Sequence, residues 1–124
     1  MTSEAAKILI VDDDSEFRNS LQKTLKRAGY EVYTAADGIQ ATKMMLEQFY
    51  PLMLLDIRMP GKSGFDVLTE VQDKSPATKV IMITAIGDND IFKLSERAGA
   101  FAFLNKPIKR QKILKYAELA LRPI

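Results

Sequence analysis

Asp12, Asp13 and Asp14 stand side by side directly after the apolar run Lys7–Val11, and Asp56 closes a second apolar run. Carboxylates at that spacing repel one another, so something must offset them. A hard divalent cation does this, because it takes oxygen ligands from clustered acids. Mg²⁺ fits best: it keeps several waters and commonly bridges to a phosphate. Thr84 and Lys106 close two further apolar runs. Together these residue types suit phosphoryl chemistry. Asp56 would be the carboxylate nucleophile, Lys106 a point charge for a phosphate oxygen, and Thr84 a hydroxyl donor to another. Metal and lysine would stabilise the equatorial oxygens in transfer.

Each residue also has an ordinary reading. Asp14, with Ser15, suits the cap of a following helix. Threonine is common in strands, and a lysine before a proline is usually a loop residue. Asp56 is harder to dismiss, because burying a carboxylate without a partner is costly. The weight lies in the coincidence of four strand ends that each carry a part of one reaction.

Composition narrows the chemistry further. The chain has 124 residues with no cysteine and no histidine. Disulfides, thiolates, Ser/His or Cys/His pairs and the commonest zinc ligand are therefore excluded. The length suggests one domain, over residues 1–124, large enough to bury a core without staples. No apolar run approaches the ~18–20 residues of a membrane span. "MTSEAAK" lacks the apolar centre of a signal peptide. The expectation is a cytoplasmic, soluble protein. Its net charge of +2 is too small to imply nucleic-acid binding. From Asn105 onward, however, six basic residues (Lys106, Lys109, Arg110, Lys112, Lys115, Arg122) face one acid, Glu118.

The elements that must position these residues follow from periodicity. Lys7–Val11, Pro51–Ile57 and Lys79–Thr84 are nearly continuous apolar runs, as in strands buried on both faces of a parallel sheet. Ala100–Leu104 is a fourth such run, and Glu31–Ala35 alternates as a sheet edge would. Helical spacing lies between them. It runs from Phe17 through Leu21 and Leu25 to Ala28, over Asp37–Phe49, over Gly64–Asp73, over Asn89–Ala98 and over Ile108–Leu121. In the fourth helix Ile91, Leu94 and Ala98 form the apolar stripe. Strand and helix alternate five times, which predicts a doubly wound α/β sandwich. Right-handed crossovers place helices on both faces, and ligands bind beyond the carboxyl ends of the strands. Those ends carry the acids, Thr84 and Lys106.

With "VDDD", "DIRMPGKSGFDVL", "TA" and "GAFAFLNKP" in this order, the sequence resembles the receiver domain of two-component response regulators over essentially its whole length. The resemblance implies a flavodoxin-like (βα)5 fold with strand order 2-1-3-4-5. It also implies that Asp56 accepts a phosphoryl group from a sensor histidine kinase or a phosphotransfer protein. Asp12 and Asp13 would hold Mg²⁺, for which Mn²⁺ can substitute, with Asp13 the more direct ligand. The backbone carbonyl of Arg58 and Asp56 itself would join them. Thr84 matches the switch hydroxyl, Lys106 the phosphate-binding lysine and Phe103 the switch aromatic. Ala85 matches the small residue that leaves room for the phosphoryl group, and Pro60 and Gly64 the loop after the acceptor. "GAFAFLNKP" looks most like receivers that control transcriptional activators with an ATPase domain, although those often carry an acid where Ala102 sits.

Such a chain is a phosphoacceptor that catalyses its own phosphorylation rather than an enzyme acting on a separate substrate. Arg58 and Ile86 flank the place where an attacking water would sit. Neither orients water, so self-dephosphorylation is expected to be slow. The switch would act on the surface of the fourth helix, fifth strand and fifth helix, including Lys93, Lys109, Arg110 and Lys112, which would meet a target or a second copy. Three other readings compete. A phosphohydrolase of the haloacid dehalogenase type needs a second acid two residues after its nucleophile, where this chain has Arg58. A flavin module needs a hydroxyl- and glycine-rich loop where this chain has "DDDSEF". A pseudo-receiver that only binds partners has no need of the full residue set present here.

Overall fold

The computed structural model describes residues 5–85 and 89–123. Its elements alternate without interruption: β1 (Lys7–Val11), α1 (Ser15–Arg27), β2 (Glu31–Ala35), α2 (Gly38–Glu47), β3 (Leu52–Asp56), α3 (Gly64–Lys74), β4 (Lys79–Thr84), α4 (Asn89–Arg97), β5 (Ala102–Asn105) and α5 (Arg110–Leu121). The five strands are parallel in the order β2-β1-β3-β4-β5. The resemblance to receiver domains implies the same order, and β2 lies at an edge as its alternation predicts.

The pleat sorts each strand into two cores. Leu9, Val11, Met53, Leu55, Val80 and Met82 face the layer that includes Ala41, Met45 and Val71. Ile8, Ile10, Leu52, Leu54, Ile81 and Ile83 face the layer that includes Leu21, Leu25, Ile113 and Ala117. Successive side chains point to opposite faces, so a strand covered on both sides reads as unbroken apolar sequence. No described helix is long and apolar enough to cross a membrane.

Local chemistry sets the helix ends. Asp14 caps α1 by accepting from the N–H groups of Glu16 and Phe17. At the other end Gly29, at φ +98°, makes the left-handed turn. The N–H of Gly29 then reaches the Lys26 carbonyl, and that of Tyr30 the Leu25 carbonyl.

Four features differ from the sequence expectation. Ala28 is the exposed C-cap of α1 rather than part of its buried stripe. Helix α2 stops at Glu47 and leaves Phe49 52% exposed, while Tyr50 takes the core position. In α4 the inward face runs through Ile91, Ser95 and Ala98, and Leu94 is 53% exposed. Ser95 tolerates burial because its hydroxyl donates to the Ile91 carbonyl at 2.9 Å. Strand β5 begins at Ala102: the Ala100 N–H donates back to the Ser95 carbonyl of α4, and the Phe101 N–H makes the first contact with β4, at the Val80 carbonyl.

The loop from β3 to α3 folds back hard on the sheet. A Cβ on Gly64 would run into the Asp56 carbonyl oxygen and come within 2.8 Å of the Ile57 Cα, so only glycine fits. The loop is pinned sideways by Lys62. Its ammonium donates to the Thr42 hydroxyl on α2 at 2.7 Å and pairs with Glu70 on α3, while Thr42 also donates to Glu70 at 2.5 Å. Burial pushes the Glu70 carboxyl up, but the Lys62 and Thr42 hydrogen bonds and the ammonium charge outweigh it and hold it below its ordinary range. A lowered carboxyl stabilises the fold above its unfolded pKa and loses that contribution as pH falls through the folded value. Lys62→Met is therefore expected to cost about 1 kcal/mol in urea melts at neutral pH. The cost should shrink in acid, where Glu70 is protonated. A cost that stays the same at acid and neutral pH would show that the ammonium acts through its hydrogen bond to Thr42 rather than through the charge of Glu70.

Candidate functional site

The carboxyl ends of four strands supply the site, and the sheet order brings them together. Strand β1 passes between β2 and β3, and the Asp12 N–H continues the ladder by donating to the Ala35 carbonyl at 3.1 Å. Asp12 is thereby held 1% exposed, while Asp13 and Asp14 turn out to solvent. Asp56 is the last residue of β3, paired in register with Ile83 of β4, and is 6% exposed. Thr84 follows Ile83 and is 1% exposed. The Thr84 carbonyl accepts from the Lys106 N–H at 2.8 Å, which fixes the start of the loop after β5.

The side chains converge as the sequence predicts. Asp12, Asp13 and Asp56 each offer a carboxylate oxygen, all within 4.8 Å of one another. The Lys106 ammonium donates to Asp12 Oδ2 at 2.8 Å and lies 4.0 Å from Asp56 Oδ2. Asp12 Oδ1 accepts from the Asp14 N–H at 2.9 Å, and Asp56 Oδ1 from the Arg58 N–H at 3.3 Å. The Arg18 guanidinium donates to the Asp12 carbonyl at 2.7 Å, so α1 is tied to the same corner.

These contacts do not fully offset the crowding. Burial first, then the neighbouring Asp12 charge, push the Asp56 carboxyl from 3.8 up to about 6, against the pull of Lys106 and the Arg58 N–H. A group so displaced, between a second buried acid and an ammonium at the rim of a sheet, has the character of a functional carboxylate. The donor set is all oxygen and partly open to solvent through Asp13, which suits a hard cation such as Mg²⁺.

The family model of the response regulator receiver domain matches residues 8–118. The chain belongs to the response regulator receiver family. This receiver is 36% identical over 116 residues to response regulator protein PilR of Pseudomonas aeruginosa, covering 94% of this chain and 26% of PilR. It thus spans about a quarter of that relative's length. It is 33% identical to sporulation initiation phosphotransferase F of Bacillus subtilis, covering 91% of this chain and 94% of that protein. Among solved structures, chemotaxis protein CheY4 of Vibrio cholerae superposes with a TM-score of 0.89 at 32% identity, over 94% of this chain and 99% of that one. A response regulator receiver in two-component signalling, with a flavodoxin-like fold, therefore accounts for the acidic rim.

Phe103 lies on β5 in register with Met82, half-buried, and meets Phe92 of α4 edge-to-face at 5.7 Å and 78°. Arg58 reaches the site through its N–H, while its side chain is exposed. Arg110, expected on the surface of α4, β5 and α5, lines cavities with Ser20 and Thr24 of α1. Ile86, expected to flank the attacking water without orienting it, lies outside the described residues. Phe17 was not expected at the site, and the Lys106 ammonium lies 4.2 Å from its ring centroid. In sequence Phe17 reads only as the first member of an apolar helical stripe.

Proposed function

We propose that this receiver accepts one phosphoryl group on Asp56 from a sensor histidine kinase or a phosphotransfer protein. The observation that carries the reading is the Lys106 ammonium between two buried carboxylates, with a third acid beside them. An Asp56 carboxylate oxygen attacks the phosphorus of a phosphohistidine. The new O–P bond forms as the N–P bond breaks, and the imidazole leaves with the electron pair. The carboxylate must be ionised to attack, which its pKa of about 6 permits at neutral pH.

Asp12, Asp13, Asp56 and the Arg58 carbonyl would hold Mg²⁺ or Mn²⁺, which offsets the acids' repulsion and charge on the phosphoryl oxygens. Lys106 turns from Asp12 to a phosphoryl oxygen, and the Thr84 hydroxyl donates to another. The movement of Thr84 frees space into which Phe103 rotates from its contact with Phe92. That alters the face of α4, β5 and α5, where Phe92, Phe101, Lys93, Lys109 and Lys112 are all exposed. An acidic target or a second copy would read the change there. The chain acts as a phosphoacceptor that promotes its own modification.

Intact mass after incubation with acetyl phosphate tests the reading. The parent should gain one HPO₃ unit with Mg²⁺ or Mn²⁺ and none with a chelator. Asp56→Asn should gain none. Modification of the Asn variant at the parent rate would overturn the assignment.

A further inference from the structure

We infer that Phe17 is a positioning residue for phosphoryl transfer: its ring holds the Lys106 ammonium at the acidic pair. The inference rests on the phosphoacceptor reading above. The observations are geometric. The ammonium lies 4.2 Å from the Phe17 ring centroid, 2.8 Å from Asp12 Oδ2 and 4.0 Å from Asp56 Oδ2. The ring is half-buried and the lysine side chain 17% exposed, so water screens this contact only in part. A cation within about 6 Å of an aromatic centroid is drawn to the negative face of the ring, more strongly as the pair is desolvated. The other cation–ring contact among the described residues, Lys79 with Phe101, is looser at 5.7 Å and lies away from the acids.

The arrangement has a chemical consequence. Lysine is a point charge on a flexible stem, and its value in transfer depends on where that charge is held. Asp12 alone would draw the ammonium away from Asp56, since one carboxylate is bonded and the other is 4.0 Å off. The Phe17 ring gives the ammonium a second anchor that carries no charge and does not compete for the phosphoryl group. When Lys106 leaves Asp12 for a phosphoryl oxygen, it can keep the ring. The position of Phe17 is itself determined by the Asp14 cap, which takes the N–H of Phe17 at 3.3 Å. Asp14 thus contributes to the site through the helix it starts rather than as a ligand.

Aromatic substitution separates this role from packing. Phe17 is replaced by mono-, di- and trifluorophenylalanine, which drain the negative face of the ring at nearly constant size. Phosphorylation by acetyl phosphate with Mg²⁺ should slow stepwise, to about a fifth of the parent rate or less at the end of the series. Melting temperature should change little. Phe17→Leu should be as slow as the last member, and Phe17→Tyr should hold the parent rate. The ring adjoins a cavity of about 210 Å³, so the added hydroxyl has room. A second readout is independent of phosphorylation. The Lys106 methylene protons next to the ammonium should show an upfield ring-current shift that vanishes in Phe17→Leu. Absence of that shift, or a fluorinated series that all react at the parent rate, overturns the inference. A shift in a parent that takes no phosphoryl group at all would instead overturn the phosphoacceptor reading, and the role of Phe17 in transfer with it.

Discussion

Asp56→Asn is expected to melt higher than the parent in metal-free buffer at neutral pH, by an amount on the order of 10 °C. The reason is the displaced carboxyl. Asp56 titrates at about 6 in the folded chain against 3.8 ordinarily, through burial and the adjacent Asp12. Between those two values the native state holds a proton that the unfolded state has released. Stability therefore falls as pH rises from about 4 to about 6 and stays lower above it. The full loss corresponds to about 3 kcal/mol. Asparagine has no proton to lose, so the variant should lack this slope, and the two proteins should melt alike below about pH 4. Mg²⁺ should raise the parent's melting temperature strongly by binding the native acids, and the variant's far less. Chelated protein and differential scanning calorimetry across pH provide the test. A parent whose stability rises between pH 4 and 6 relative to the variant would show that Lys106 outweighs burial and Asp12.

Lys106→Met is expected to lower stability by about 3 kcal/mol in the same metal-free buffer, the opposite direction from Asp56→Asn. Methionine keeps the length of the stem but removes the ammonium that lies over the Phe17 ring. It leaves Asp12, 1% exposed, without its 2.8 Å partner and Asp56 without its nearest cation. A buried charge stripped of its partner costs far more than the pair gains when intact. Mg²⁺ should restore much of the loss, because a cation can serve the same carboxylates. Phosphorylation should not recover with it. The ammonium acts on a phosphoryl oxygen, and removing one such donor costs about 100-fold or more in rate. Urea melts with and without Mg²⁺, together with the rate of mass gain from acetyl phosphate, separate the two effects. Parent-like phosphorylation in a variant that binds Mg²⁺ normally would remove Lys106 from the transfer step.

The two variants together decide how the rim is balanced. If Asp56→Asn stabilises and Lys106→Met destabilises, the cluster is an excess of negative charge restrained by a single ammonium. Divalent metal is then what the site lacks, not an addition to a site already at rest. If both destabilise, the pair of Asp56 and Lys106 would be a net source of stability, and the acid crowding would be of little energetic weight.

The sequence by itself determined the order of elements, the parallel sheet and the residues at its rim. All three follow from local patterns. A strand covered on two faces must be apolar at every position, so Ile8–Val11 and Leu52–Leu55 are legible without knowing what covers them. A carboxylate at the end of such a run needs a partner, so Asp12 and Asp56 announce a cation. Even the cap by Asp14 is encoded within the next three residues. What only the tertiary structure decided lies between elements. A helix with apolar residues at several phases does not say which face turns inward. In α4 the fold buried Ser95 and exposed Leu94, because a self-satisfied hydroxyl can be buried and the position faces the sheet. Lys62 reads as a loop lysine until α2 and α3 are packed side by side and present Thr42 and Glu70 to it. Arg110 reads as part of a surface of α4, β5 and α5, and only the packed helices show that it also lines a cavity with residues of α1. The contact of Phe17 with Lys106 joins α1 to the loop after β5 across almost the whole chain. Neither residue carries a local mark of the other, since a ring on a helix serves packing and cation binding with the same atoms. Only the right-handed crossovers and the central place of β1 bring them to one corner.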